Sequence, residues 1–400
     1  MPQPSHQLNA PPGDLEPGRR RVLIVGPGFR FLGGLSVYTC SLANALTDTH
    51  DVSMLLLDRL IPRRLYPGAA RVGRDLTSMS YDPRAHIVGT IDWNWGAGIR
   101  ARLTEQIRAA APEVIVLQWW TAATLHTYLL IAHVGRRLGI PVVIEFHEAQ
   151  DTGEAAVPGV ASYGRTVLRR LVRRCAGAIF HNQHDRELIE KALGTELFKD
   201  LPCRIAPHGP YNHLTKAPEA RALQGDRPAR VLFFGLIRPY KGAEDLIAAI
   251  DGLTPEQAAG LEVDVVGETW ENWTAPAEAI AASRYRDRIR FDNRYVSDAE
   301  AAAYFTGADM LVLPYRRGSA SGPLQAAMSN GIPVILYAVG GLVEAVRDYS
   351  GATLVRPDDV VGLRQAILDV AARRGQRFTD PHTWAPLRDA IDSLAKVCNG

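Results

Sequence analysis

Short, uninterrupted apolar runs, each closed by a glycine or a polar turn, constrain this chain more than any other feature. The first is "RVLIVGPG" at 21–28, and "GGLSVYTCSLANALTDTH" behind it carries apolar residues at helical intervals. A strand that is apolar at every position has both faces covered, which is the condition of a parallel sheet between helices. "DVSMLLLD", "EVIVLQWW", "IPVVIEFHE", "AGAIFHN" and "CRIAPHG" read as further strands, separated mostly by helical segments such as 122–138 and 160–175. Alternation of this kind predicts an α/β fold.

The pattern pauses around 213–229, a polar stretch bearing proline and glycine, and then restarts. Strand "VLFFG" and helix 242–252 lead on to strands "LEVDVVG" and "IRFDN" and helix 298–306. Strand "MLVLPY", helix 322–330, strand "IPVILY", helix 341–347, a strand at "ATLV" and helix 358–373 follow. An amphipathic segment from near Trp384 closes the chain. The expected organisation is a disordered leader over 1–19, a Rossmann-like domain over 20–215 and a linker over 216–229. A second Rossmann-like domain then spans 230–378, and a crossover helix over 379–400 returns towards the first. Ligands of such folds bind at the carboxyl ends of the strands, so a cleft between the two sheets is expected.

Bulk properties agree. A chain of 400 residues exceeds what one core usually serves. The net charge of +2 provides no global field for nucleic acid. Cys40, Cys175, Cys203 and Cys398 form no C-x-x-C pair, which argues against a zinc site or disulfide framework and for a reducing cytosol. The leader is rich in proline and lacks the apolar core of a signal peptide. His126, His133, Arg136 and Arg137 interrupt the most apolar window, so no membrane-spanning helix is expected there.

Three turns carry candidate chemistry. "RRGSASGPLQAAMSNGI" at 316–332 leaves a strand and enters a helix, with Ser321 placed as N-cap and Gly322 and Pro323 in the first turn. Helix-end amides with the hydroxyls of Ser319 and Ser321 make a site for an anion, most naturally phosphate, although an isolated S-x-S-G is also simply a capped turn. "FFGLIRPYKGAEDLI" at 233–247 puts Arg238 and Lys241 at a similar strand end, where two cations would neutralise a diphosphate. "GPGFRFLGG" at 26–34 lets a ligand approach the backbone at Gly33 and Gly34. A dinucleotide fingerprint would need glycine where Phe31 stands, yet Asp58 imitates its ribose-binding acid, which keeps an NAD-dependent oxidoreductase among the alternatives.

His147 and His208 each follow a strand and are placed to bond a sugar hydroxyl or phosphate, with Glu148 and Asp151 near an acceptor. Trp93, Trp95, Trp119 and Trp120 are candidates for an acceptor groove, since aromatic rings stack on sugar faces, with core packing as the alternative. Arg165, Arg169, Arg170, Arg173 and Arg174 share one broad helical face, suited to an anionic membrane surface or a lipid-pyrophosphate acceptor. No D-x-D metal motif occurs in a suitable loop, so no metal or other cofactor is expected.

Taken in order, "GG" at 33–34 with "SLANAL" behind it, "FHE" at 146–148, "PHG" at 207–209, "GLIRPYKG" at 235–242, "VVGE" at 265–268, "GIPVI" at 331–335 and "GG..E" at 340–344 resemble the family 4 retaining glycosyltransferases of the GT-B fold. The resemblance covers nearly the whole chain after the leader. It implies a nucleotide sugar, UDP- or GDP-linked, held mostly by the C-terminal domain, and a saccharide or lipid-linked acceptor held mostly by the N-terminal one. Catalytic roles would fall to His147, Arg238 and Lys241. The donor would meet Gly33, Gly34, Ser319, Ser321, Gly322 and Glu344, with the base near Arg294, Tyr295 and Val296. Trp119, Trp120, Glu148 and His208 would serve the acceptor.

Two departures stand out. Leu236 occupies the family's usual arginine position, so Arg238 would substitute from two residues on. The family's paired glutamates fall at Gly318 and Ala326, so both acids are missing, and the chain looks like a branch with S-G at this turn. A nucleotide-sugar-binding protein with weakened turnover is therefore an alternative. The expected setting is cytoplasmic, with peripheral contact at the inner membrane face.

Overall fold

The computed structural model describes residues 18–29, 34–59, 77–92, 95–148, 159–215, 227–270 and 273–399. The expected leader up to residue 17, linker residues 216–226, and Gly33, Trp93 and Asp151 lie outside the described residues.

The chain forms two compact units. The first is built on strands β1 (Arg20–Pro27), β2 (His50–Arg59), β3 (His86–Asp92), β4 (Val114–Trp119), β5 (Val142–Phe146), β6 (Gly177–Phe180) and β7 (Cys203–Ile205). Its helices are α1 (Gly34–Leu46), α2 (Ile99–Ala110), α3 (Leu125–Arg137), α4 (Val160–Val172) and α5 (Gln183–Leu193). All seven strands are parallel, in the order β3-β2-β1-β4-β5-β6-β7. Leu23, Val25, Leu55, Leu57, Ile115 and Leu117 join α2, α3 and α4 in one core. The alternate residues Val22, Ile24, Met54 and Leu56 are equally buried on the other face, where α1 packs on β1 and β2. Each such side chain contributes about 1.5–3 kcal/mol on burial, which is why the apolar runs have no polar face.

The second unit carries β8 (Ala229–Phe234), β9 (Leu261–Val266), β10 (Ile289–Asp292), β11 (Met310–Leu313), β12 (Val334–Tyr337) and β13 (Ala352–Val355). Around them stand α6 (Ala243–Asp251), α7 (Pro255–Ala259), α8 (Ala275–Ala282), α9 (Asp298–Gly307), α10 (Gly322–Ser329), α11 (Gly340–Ala345) and α12 (Val360–Ala371). The strand order is β10-β9-β8-β11-β12-β13, again all parallel. The last helix, α13 (Ala385–Asn399), belongs to the first unit and packs on β4 and β7. Arg20 holds its Asp392 at 2.6 Å, and Arg204 reaches Ser393 at 2.8 Å. The return of this helix to the first unit agrees with the sequence expectation.

Beyond the ends of β8 and β9 the two strands approach once more through a bridge between Ile237 and Thr269. That approach needs Gly235 and Gly267, with φ of 115° and 146°. A Cβ on Gly267 would stand 1.9 Å from the Gly235 carbonyl oxygen, so backbone would have to move. Gly267→Ala is expected to cost the full chain about 2–4 kcal/mol, from strain and overpacking together. Urea denaturation would show an earlier transition, whereas an unchanged midpoint would mean the loops relax freely.

Candidate active site

In the second unit the strand order reverses between β8 and β11, and the loops leaving these neighbours are 235–242 and 314–321. The two arginines at the head of "RRGSASG" staple these loops. Arg316 donates its amide to the Tyr240 carbonyl at 2.8 Å, and its guanidinium bonds Glu244 at 2.8 Å and Asp245 at 2.7 Å. The guanidinium of Arg317 lies 4.7 Å from the centre of the Tyr240 ring.

The expected cations occupy the same turn. Lys241 ends a short 3₁₀ turn over Pro239–Lys241, and its ammonium sits 5.0 Å above the buried Tyr315 ring. A Cβ on Gly235 would be 3.5 Å from that ammonium and 3.0 Å from Pro323 Cγ in the first turn of α10. The lysine and the helix start are therefore gathered around one glycine. Arg238 lies over Trp270 at 4.7 Å, and Trp270 in turn donates its indole N–H to Glu268 at 2.9 Å. Backbone bonds from Ile237 to Glu268 and from Trp270 to Ile237, at 2.9 and 3.0 Å, fix this pairing.

Ser321 is the N-cap of α10, as the sequence predicts: its hydroxyl oxygen accepts the Leu324 amide at 3.3 Å. Gln325 donates its amide to the Ser321 carbonyl and Pro323 has none to give, so these bonds leave Gly322 as the first-turn amide not yet used. The Ser321 oxygen thus already serves the helix, and its hydroxyl lies beside that of the buried Tyr315. Gly318 accepts the Gly341 amide at 3.1 Å, which sets α11, with the half-buried Glu344, against the turn bearing Ser319. Ala326, at the second missing-glutamate position, is buried in α10. Val296 also buries its side chain, so beside the half-buried Tyr295 it offers a ligand only backbone. Arg294 is tied to Asp292 at 2.9 Å and to Glu300 at 2.6 Å.

In the first unit His147 follows β5 directly, its amide bonded to the Trp119 carbonyl at 2.9 Å. Beneath it lies a polar network that sequence reading did not single out. Glu145 is fully buried and accepts the Tyr38 hydroxyl on Oε1 and the Gln118 amide on Oε2 at 3.2 Å. His147 Nε2 stands 3.4 Å from Glu145 Oε2, and His147 Nδ1 lies 3.1 Å from His181 Nε2. His181 Nδ1 faces the Ala206 carbonyl at 3.0 Å. The Thr39 hydroxyl meets Gln118 Oε1 at 2.5 Å. Tyr38 packs edge-on against His147 with ring centres 4.5 Å apart, and against Trp384, just before α13, at 5.3 Å.

Burial alone would push the Glu145 carboxyl up. The charge and hydrogen bond of His147, the charge of His181 and the Tyr38 hydroxyl outweigh it and hold the group at about 2. Burial, reinforced by the charge of His147, lowers His181 to about 4, against the pull of Glu145 and the Ala206 carbonyl.

Other sequence candidates lie elsewhere. Trp119, expected in an acceptor groove, is instead a core residue in β4, its ring edge-on to Phe146 at 5.5 Å, because both faces of that strand are covered. Trp120 is partly buried against the same core. Glu148 is half-buried behind His147, and Gly34 is exposed at the first residue of α1. His208 groups with the second unit, its ring 5.6 Å from Tyr211. Arg165, Arg169, Arg170 and Arg173 are exposed and Arg174 is half-exposed. Among the described residues no helix is long and apolar enough to cross a membrane. Burial pushes the thiols of Cys40 and Cys175 up to about 12, which leaves them inert.

Residues 33–196 match the family described as "Glycosyl transferase 4-like domain" and residues 228–373 match "Glycosyl transferases group 1". A D-inositol 3-phosphate glycosyltransferase from Streptomyces coelicolor is 28% identical over 61% of this chain, which spans 60% of that relative's length. A glycogen synthase from Mycobacterium tuberculosis is 28% identical over 90% of both chains. The solved sucrose-phosphate synthase from Thermosynechococcus elongatus superposes with a TM-score of 0.61 at 19% identity, covering 95% of this chain and 94% of its own, and so shares the fold.

The network makes the first unit acid-sensitive in a defined direction. Glu145 is depressed from 4.5 to about 2, so its contribution is complete above the ordinary carboxylate range and is lost as pH falls through the folded value. His181 acts in the same direction at higher pH, because the unfolded chain takes up its proton near 6.5 and the native state only near 4. In urea titrations of wild type and Glu145→Gln, the wild-type advantage should shrink as pH drops below the usual carboxylate range. A gap that stays constant or widens would mean that Glu145 is not ionised in the folded chain.

Proposed function

This chain belongs to the family 4 glycosyltransferases of the GT-B fold, and on that premise we propose that it transfers a hexose-type sugar from a nucleoside-diphosphate carrier to a hydroxyl of a saccharide, glycolipid or small-molecule acceptor, with retention of configuration. The observation that carries this reading is the convergence at Gly235, where Lys241 and the first turn of α10 flank one point. A point charge and a helix N-terminus aimed at one small-residue turn suit a diphosphate. Arg238 adds a second cation from the same loop. The donor is assigned to the second unit and the acceptor mainly to the first.

In the proposed reaction the acceptor oxygen bonds to the anomeric carbon as the bond from that carbon to the phosphate oxygen breaks. The acceptor proton passes to the departing phosphate, so no protein base is required. Lys241, Arg238, the Gly322 amide and the Ser321 hydroxyl stabilise the charge that develops on the leaving group. No metal ion is assigned a part, since these cations do that work. Removing one preorganised donor of this kind typically costs about a hundredfold in rate, or ~3 kcal/mol. With a panel of UDP- and GDP-sugars and acceptor extracts, Arg238→Ala combined with Lys241→Ala should abolish release of nucleoside diphosphate while the melting curve stays intact. Undiminished transfer by the double variant would misplace the donor site. Tight binding of a sugar nucleotide with neither hydrolysis nor transfer by the wild type would favour the weakened binding protein, the reading that Gly318 and Ala326 keep in view.

A second proposal concerns location. The arginine face of α4 continues across α3, which packs between α2 and α4. Burial of His133, reinforced by the charges of Arg137, Arg100, Arg174 and Arg136 around it, depresses its proton affinity. The three helices carry one acidic residue, Glu105. Tyr163 is 54% exposed beside Arg165 on α4, an amphipathic ring of the kind found at membrane interfaces. Peripheral binding to an anionic cytoplasmic leaflet follows, at about 1 kcal/mol per arginine near the surface. Vesicles containing phosphatidylglycerol should sediment the wild type at low salt but not a variant with Arg165, Arg169 and Arg170 changed to serine. Equal sedimentation of the two would remove the membrane role.

A further inference from the structure

The buried network beneath His147 fixes where its protons are. A carbonyl oxygen only accepts, so the Ala206 carbonyl, 3.0 Å from His181 Nδ1, places a proton on that nitrogen. His181 is buried at 6% exposure and disfavours a second proton, which leaves its Nε2 as an acceptor. The partner at 3.1 Å, His147 Nδ1, must then be the donor. The remaining nitrogen of His147, Nε2, faces Glu145 Oε2 at 3.4 Å. That carboxylate already takes hydrogen bonds from the Tyr38 hydroxyl and the Gln118 amide, and both of those groups are donors at these contacts. A bare nitrogen lone pair facing the same oxygen would be repelled, whereas an N–H there forms a charge-assisted contact. His181 Nε2, farther from the carboxylate at 3.7 Å from Oε1, has its lone pair engaged by His147 Nδ1 at 3.1 Å. The fully buried negative charge also needs a positive partner close by.

We infer that Glu145 is a positioning residue that holds the His147 ring with protons on both nitrogens, so that His147 serves the proposed transfer as a fixed cation and not as a proton acceptor. Tyr38 and Gln118 fix the carboxylate. Gly26 leaves room for Gln118, since a Cβ there would meet its side-chain oxygen at 2.1 Å. His181 orients the ring from the other side. A ring so held cannot take the proton of an attacking hydroxyl, but its positive charge favours an anionic group developing nearby. The proton of the acceptor must leave by another route, which agrees with its passage to the departing phosphate. The inference rests on the transferase reading for its catalytic consequence, but not for the protonation pattern itself.

The test uses the full chain with ¹⁵N-labelled histidine. Long-range nitrogen–proton spectra at neutral pH should show two protonated nitrogens for His147 and a proton only on Nδ1 for His181, with His147→Gln and His181→Gln providing the assignments. In Glu145→Gln, His147 should change to a neutral tautomer while the thermal melt shows a folded protein. Tyr38→Phe, a gentler change that loosens the carboxylate, should shift the His147 signals in the same direction if Glu145→Gln proves too unstable. A neutral His147 ring in the wild type overturns the inference, whatever the activity. In transfer assays Glu145→Gln should lower kcat by about tenfold to a hundredfold with the donor KM little changed, as expected when a catalytic group loses its geometry. An unchanged kcat would show that the network only stabilises the fold. Failure to detect any transfer by the wild type would count against the transferase reading and leave the spectroscopic result to decide the proton pattern.

Discussion

A parallel sheet covered by helices on both sides leaves its chain no polar exit except at the strand ends. Apart from polar residues such as Gln118 in β4, Glu145 in β5 and Ser53 in β2, the strands are apolar along their buried length, so most groups capable of chemistry collect in the turns that follow. Lys241, Arg238 and Ser321 stand in turns after β8 and β11, and His147 stands directly after β5. The glycines of these turns let the loops come close enough for the charges to act together. Gly235 shows this best, with a lysine ammonium and the first turn of a helix both near its missing Cβ.

The two units handle charge in different ways. In the second, cations lie on aromatic rings: Lys241 over Tyr315 and Arg238 over Trp270. Such contacts are worth about 0.5–2 kcal/mol, enough to hold a side chain in place without neutralising it. In the first unit the Glu145 carboxylate is enclosed by Tyr38, Gln118, His147 and His181 and is compensated in place. An isolated buried charge would be far too costly, so the carboxylate and its partners must be retained or lost as a set.

Much of the fold was legible because its signals are local. The apolar runs of β1, β4, β8 and β11 and the cap at Ser321 each lie within a few residues of sequence. β3 was not singled out: "HIVGTID" is broken by a histidine, a glycine and a threonine, as suits an edge strand with a partly exposed pattern. The loop cations were legible from strand-end position, whereas the clamp formed by Arg316 on Glu244 and Asp245 depends on a pairing about 70 residues apart in sequence and could not be read. Trp119 misled because a tryptophan at a strand end looks like a ligand platform, and only the tertiary packing decides otherwise. Glu145 did leave a trace. An acid inside the otherwise apolar "VVIEF" must have partners, and that signal alone would have pointed to a buried network, though not to Tyr38 or Gln118 as its members.

The central claim is that the turn around Gly235 holds the diphosphate of a sugar nucleotide. A crystal structure of the full chain with a nucleoside diphosphate bound tests it most directly. The account predicts phosphate oxygens within hydrogen-bond reach of Lys241 Nζ, the Arg238 guanidinium and the Gly322 amide. A diphosphate bound elsewhere, with those three groups left in water, would contradict it.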